Sequence, residues 1–235
     1  MSTHFSSGVT NVSAQDQMAQ LRQLDPSQYY NQNFDFFEYT AAEWVVTETQ
    51  SGATQAIIDG AGGLLALTNT TGASDANQIQ WCGNAAAARL TTYFDSSKDF
   101  IMKARFKVSD ATNTGILIGA ATVDTSVVAS LPTDGIYFYK AAASTSLLAS
   151  TRIAGTSSSI TLGTMVDDTY VVAALVYSAS KAKWWGWLDG GTPVGSINGY
   201  AGAPTNGLCT SIALVNASGA AHVLTVDYLN VMVSR

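Results

Sequence analysis

The chain has 235 residues, of which 11 are Lys or Arg and 17 are Asp or Glu, for a net charge of −6. Charged residues make up 12%, half the roughly 25% of an ordinary soluble protein, so Ser, Thr, Asn, Gln, Gly and Ala must cover much of the surface. The thin acidic balance argues against a nucleic-acid binder, which needs a basic face, and a hydrophobic fraction of 47% excludes wholesale disorder.

Residues 1–33 are polar and aperiodic, with Gln15, Gln17, Gln20, Gln23, Gln28 and Gln32 and a helix-breaking Asp25-Pro26. Nothing there can bury a core of its own, so the segment reads as a disordered tail or as an extended N-terminal arm that orders against a partner. Residues 1–8 carry neither a basic nor an apolar leader region, and no run of 18 apolar residues occurs. The expectation is a chain that bypasses the Sec route and spans no membrane.

From Phe34 onward the pattern changes to short β-rich runs. Residues 43–49 alternate, and 64–68 follow the turn cluster Asp59-Gly60-Ala61-Gly62-Gly63. Residues 78–82 are short and alternating. Residues 100–108 alternate over the whole run, with Phe100, Met102, Ala104, Phe106 and Val108 on one face and Lys103, Arg105 and Lys107 on the other. Residues 115–121 are continuously apolar, as in a buried strand, and 135–140 can pair with 147–153 across a hairpin. Further runs lie at 170–177, 183–188, 192–195, 211–216 and 223–233. Strands recurring every roughly 10 to 15 residues, with almost no helical periodicity, predict an all-β sandwich or jelly roll over residues 34–235.

Chemistry-bearing residues are scattered. The three glutamates, Glu38, Glu43 and Glu48, fall in one window, and Glu43 and Glu48 would face opposite ways on one strand. Glycoside hydrolysis needs two carboxyl groups about 5 to 9 Å apart across a scissile bond. Asp167-Asp168 reads as a turn before a strand. His4 and His222 are far apart, no Gly-x-Ser-x-Gly elbow occurs, and neither Cys82 nor Cys209 has a neighbouring histidine. Asp75 and Asn77, or Asp59, offer oxygens to a calcium ion without a full loop signature. The expectation is no enzyme, no cofactor and no metal. The two cysteines read as buried free thiols, although they can pair if their strands are neighbours.

The aromatics carry more. Trp184, Trp185 and Trp187 lie on one strand, where alternation puts Trp185 and Trp187 on one face and Trp184 on the other; they read as core and subunit interface or as a glycan platform. Tyr29, Tyr30 and Phe34, with Phe36 and Phe37, read as anchors that fix the arm to the sandwich or to a neighbour.

Several segments resemble a family of tailed-bacteriophage virion proteins: Thr3-His4-Phe5-Ser6-Ser7-Gly8-Val9-Thr10-Asn11-Val12 at the start, Trp44-Val45-Val46-Thr47-Glu48-Thr49, and Ala104-Arg105-Phe106-Lys107-Val108-Ser109-Asp110-Ala111. The likeness continues in Thr133-Asp134-Gly135-Ile136-Tyr137-Phe138, in residues 162–171 and in Leu224-Thr225-Val226-Asp227-Tyr228-Leu229, whereas residues 181–188 are richer in tryptophan than the family pattern. The resemblance implies a concanavalin/laminin-G-like jelly roll on the capsid exterior, acting as a head decoration (cement) protein. It implies the major capsid protein as partner, and the reading adds a homotrimer, with His4, Phe5, Tyr29, Tyr30 and Phe34 as arm contacts. The alternative is a carbohydrate-binding adhesin for host glycans.

Overall fold

The alternation in residues 100–108 sets the pattern of the molecule. In the computed structural model, which describes residues 29–60, 62–82, 94–198 and 207–235, all five apolar members of that run are fully buried in the main core. Lys103, Arg105 and Lys107 stand on the opposite face and remain partly exposed.

Fifteen strands occur among the described residues. The first five are β1 (Tyr29–Phe34), β2 (Val45–Glu48), β3 (Thr54–Ile58), β4 (Leu64–Thr68) and β5 (Ala76–Trp81). Next come β6 (Phe100–Val108), β7 (Thr114–Ala121), β8 (Gly135–Lys140), β9 (Ser146–Ile153) and β10 (Thr156–Thr164). The last are β11 (Val171–Ser178), β12 (Lys183–Leu188), β13 (Gly195–Asn198), β14 (Cys209–Asn216) and β15 (Val223–Ser234). They form two antiparallel sheets, an all-β sandwich. The first sheet has the order β13-β12-β11-β6-β15-β4-β3, with β1 also paired to β15; the second is β10-β9-β8-β7-β14-β5-β2. The hairpin predicted from 135–140 and 147–153 is β8 with β9.

Two differences from the sequence reading concern edges. Residues 1–28 lie outside the described residues, but Tyr29–Phe34, at the end of the expected arm, is a strand whose register runs from Tyr29 opposite Ser234 to Phe34 opposite Leu229. Strands β3 and β10 were not anticipated. Both are edge strands, and the serines and threonines of β10 are mostly exposed, so no hydrophobic alternation marks it.

Between the sheets, Trp184 packs against Tyr177, Phe94 and Phe100 with ring centres 4.8, 5.3 and 5.8 Å away. A smaller cluster covers the outer face of the second sheet: Leu117, Tyr137, Ala213 and Val215 meet Val127 and Val128 of the loop after β7. Two buried glutamines of β5 hold that loop. Gln80 donates to the Thr122 carbonyl and to Ser211 Oγ and accepts from the Asp124 N–H; Gln78 donates to the Asp124 carbonyl and accepts from the Val127 N–H. Backbone groups of a loop lying on a sheet thus find the partners that burial demands.

A lysine closes the far end. Lys140 is fully buried, and its Nζ donates to the carbonyls of Ala111, Thr114 and Ser144. Burial pushes its pKa down to about 8, opposed by the charges of Asp110 and Asp167.

Candidate functional site

The tryptophan strand is placed by its register. Trp185 lies opposite Val176 and Trp187 opposite Ala174, which puts both on the outer face of the first sheet, while Trp184 turns into the core. Only one ring is available to a ligand: Trp184 and Trp187 are 0% and 1% exposed, and Trp185 is half-buried. The ammonium groups of Lys181 and Lys183 stand 5.4 and 5.8 Å from the centre of the Trp185 ring, within cation–π range.

Along the same face, pairing of Phe100 with both Tyr177 and Val233 carries Asp99 between the end of β11 and the end of β15. Asp99 exchanges hydrogen bonds with Ser234: its N–H donates to Ser234 Oγ at 2.9 Å, and its carbonyl accepts from the Ser234 N–H at 2.9 Å. The Ala179 N–H donates to Asp99 Oδ1 at 2.8 Å. Together Ser97, Asp99, Ala179, Ser180 and Ser234 line an open groove of about 440 Å³. Tyr29 lies opposite Ser234 on the neighbouring strand, and burial, with the Asp99 charge, raises its phenol pKa. A carboxylate with serine hydroxyls and a nearby phenol suits hydrogen bonding to a polyhydroxylated ligand. No local motif in the sequence marks this groove, because Ser97, Ser180 and Ser234 meet only through strand pairing.

Arg105 sits in the middle of the face. Its guanidinium pairs with Asp227, which the β-bulge between Val226 and Tyr228 aims outward, and lies 4.0 Å from the Tyr170 ring centre. Lys107 stands 5.3 Å from the same ring and bonds Asp168 at 3.3 Å. These cations are therefore engaged within the chain.

The aromatic anchors divide. Phe34 is packed inward, 5.3 Å from both Trp44 and Trp81, whereas Tyr30 is 61% exposed under the Arg235 guanidinium, 4.3 Å from its ring centre. His4 and Phe5 lie outside the described residues. Phe37 is 74% exposed, and the Phe36–Phe37 backbone runs against Gly63, at the turn between β3 and β4. On β3 itself, Ile57 and Ile58 are exposed, so one edge of the first sheet carries an uncharged apolar rim.

The remaining candidates have local partners. Both Asp75 oxygens accept from Thr49 and Thr70, and the Asn77 amide bonds Thr54, Thr68 and Gln55, which ties the oxygens considered for calcium into the turn. Asp167 accepts from the Ala111 N–H. His222 is buried, with Nε2 3.1 Å from Ser218 Oγ. Glu48 accepts from Gln55, and Glu38 and Glu43 are exposed. Among the described residues, no group of three or more His, Cys, Asp or Glu side chains converges as a metal site.

No protein-family model matches the chain, and no curated protein matches it. Solved structures do. The carbohydrate recognition domain of Emp47p matches with a TM-score of 0.58 and 11% identity, over 89% of this chain and 98% of that one. Peanut lectin with a nine-residue peptide gives 0.56 and 10%, over 88% and 97%. A Bacteroides ovatus mixed-linkage glucan family 16 glycoside hydrolase with its product gives 0.57 and 9%, over 85% and 99%. One architecture thus serves recognition in some of these proteins and an enzyme in another, and what they share with this chain is the arrangement of its strands. The chain has the jelly-roll sandwich fold that these proteins share.

Proposed function

We propose that this chain is a non-enzymatic virion protein that seats on the outside of an assembled bacteriophage capsid as a decoration protein, with the major capsid protein and further copies of itself, as a homotrimer, for partners. The observation that carries the reading is the apolar rim. Phe37, Ile57 and Ile58 stand exposed beside an uncharged edge strand, on a chain with few charges to discourage association. The sequence resemblance to tailed-phage virion proteins supports the same partner. Many identical weak contacts on a symmetric shell add up through multivalency.

The test is co-sedimentation of the purified chain with capsids that lack it. The variant Phe37→Ser/Ile57→Lys/Ile58→Lys keeps its sheet content by circular dichroism and loses capsid binding. Wild-type co-sedimentation by this variant overturns the reading.

A second reading, a carbohydrate-binding module for host attachment, is supported by the Asp99 groove and by the lectin-type neighbours. On a glycan array, Asp99→Asn and Trp185→Ala each weaken any binding shown by the wild-type chain; signals unchanged in both variants count against it.

A further inference from the structure

Cys82 and Cys209 are 127 positions apart in sequence, yet the fold brings them together. On adjacent strands of the second sheet, Trp81 lies opposite Thr210 in antiparallel register. One residue further, β5 has ended and the Cys82 N–H turns back to the Gln80 carbonyl, and there Cys82 comes beside Cys209, the first residue of β14. Neighbouring strands lie about 4.7 to 4.9 Å apart, within the Cα span of about 4.4 to 6.8 Å that a disulfide bridges. The two thiols hydrogen-bond to each other, and Cys82 Sγ also donates to the Gln80 carbonyl at 3.5 Å. Both side chains are buried, and neither is in a disulfide in the structure.

We propose that Cys82 and Cys209 form a latent cross-strand disulfide site that a low-molecular-weight disulfide, such as glutathione disulfide, converts into a covalent lock across β5 and β14. The steps balance. A thiolate of one cysteine attacks glutathione disulfide, forming a mixed disulfide and releasing one glutathione thiolate. The second cysteine, as thiolate, then displaces the other. The two protein thiols lose two protons and two electrons in total, and the oxidant leaves as two molecules of glutathione. Burial sets the rate. It keeps both thiols protonated by raising their pKa values and shields them from the oxidant, so exchange proceeds through transient opening of the strand ends. Once formed, the bond closes a loop of more than a hundred residues in the unfolded chain, the case in which loop-closure entropy favours the native state most.

The full chain is refolded in a glutathione redox buffer, and its intact mass, non-reducing peptide map and thermal melt are compared with those of a reduced sample. The expected product has lost two hydrogens, yields a cross-linked peptide pair containing Cys82 and Cys209, and melts about 10 °C higher than the reduced chain. Cys82→Ser and Cys209→Ser, whose reduced folds are checked by circular dichroism, give no cross-link and no shift. A refolded chain with both thiols still titratable overturns the proposal. So does one that carries glutathione as a stable mixed disulfide, or a cross-linked chain that melts lower than the reduced one.

Discussion

Gln78 and Gln80 project from the same face of β5, and between them they fasten the loop after β7, each amide donating to one of its carbonyls and accepting from one of its N–H groups. The loop carries Val127 and Val128 onto the outer face of the second sheet, so the polar pair holds an apolar lid in place. Replacing Gln80 by Leu strands the Asp124 N–H and the Thr122 carbonyl, and the expected loss is about 2 to 3 kcal/mol. Urea unfolding of the variant checks this, with a lowered midpoint and an unchanged slope.

Lys140 gives a pH dependence with a defined direction. Burial lowers its pKa to about 8 from 10.5, so between these values the unfolded chain binds more protons than the folded one. Its contribution to stability therefore rises with pH across that window and is most unfavourable below about 8. Tyr137 acts the other way above its ordinary value of 10, because burial raises it to about 12 and the folded chain then keeps a proton that the unfolded chain has lost. The difference between wild type and Lys140→Met isolates the lysine and shifts by about 3 kcal/mol from pH 7 to pH 11. At pH 7 the variant is itself less stable, because three carbonyls lose their donor.

The neighbouring tryptophans separate packing from surface. Trp184→Ala empties the centre of an aromatic cluster and costs about 4 kcal/mol, whereas Trp185→Ala removes a half-buried ring and costs about 1 kcal/mol or less. Thermal melts of the two variants side by side decide it, and equal losses contradict the assignment of faces.

Gly63 has φ +83°, and an added Cβ would lie 2.2 Å from the Phe36 carbonyl oxygen. Gly63→Ala is therefore strained in two ways and is expected to cost about 2 to 3 kcal/mol. Because the clash falls on the Phe36–Phe37 backbone, faster hydrogen exchange there than elsewhere is the readout.

Much of this architecture was legible in the sequence. Strand β6 announced its two faces by strict alternation, and β7 its burial by a continuous apolar run. What stayed hidden depended on partners. Strand β3 gains its place only by pairing with β4, and β1 offers Tyr-Tyr-Asn-Gln-Asn-Phe, whose inward Phe34 becomes evident only opposite Leu229. The site was less legible than the fold. Alternation put Trp187 on the face of Trp185, which the structure shows to be the outer one, yet exposure is decided by what lies around a residue, and Trp187 is buried there. The Asp99 groove is assembled from three places in the chain, and no periodicity reports such a meeting.

Strand β15 pairs with β6 on one side and with β4 and then β1 on the other. It is the last of the fifteen strands to leave the ribosome, and it is central to the first sheet. Until it arrives, β4 and β6 present open ladders and β1 has no partner within its sheet, so the first half of the sandwich waits on contacts nearly two hundred residues apart. Such long-range closure makes folding slow and leaves adhesive edges in the nascent chain. Shielding those open ladders until β15 inserts is therefore expected to raise the yield of folded chain, and co-expression with a chaperone is the check.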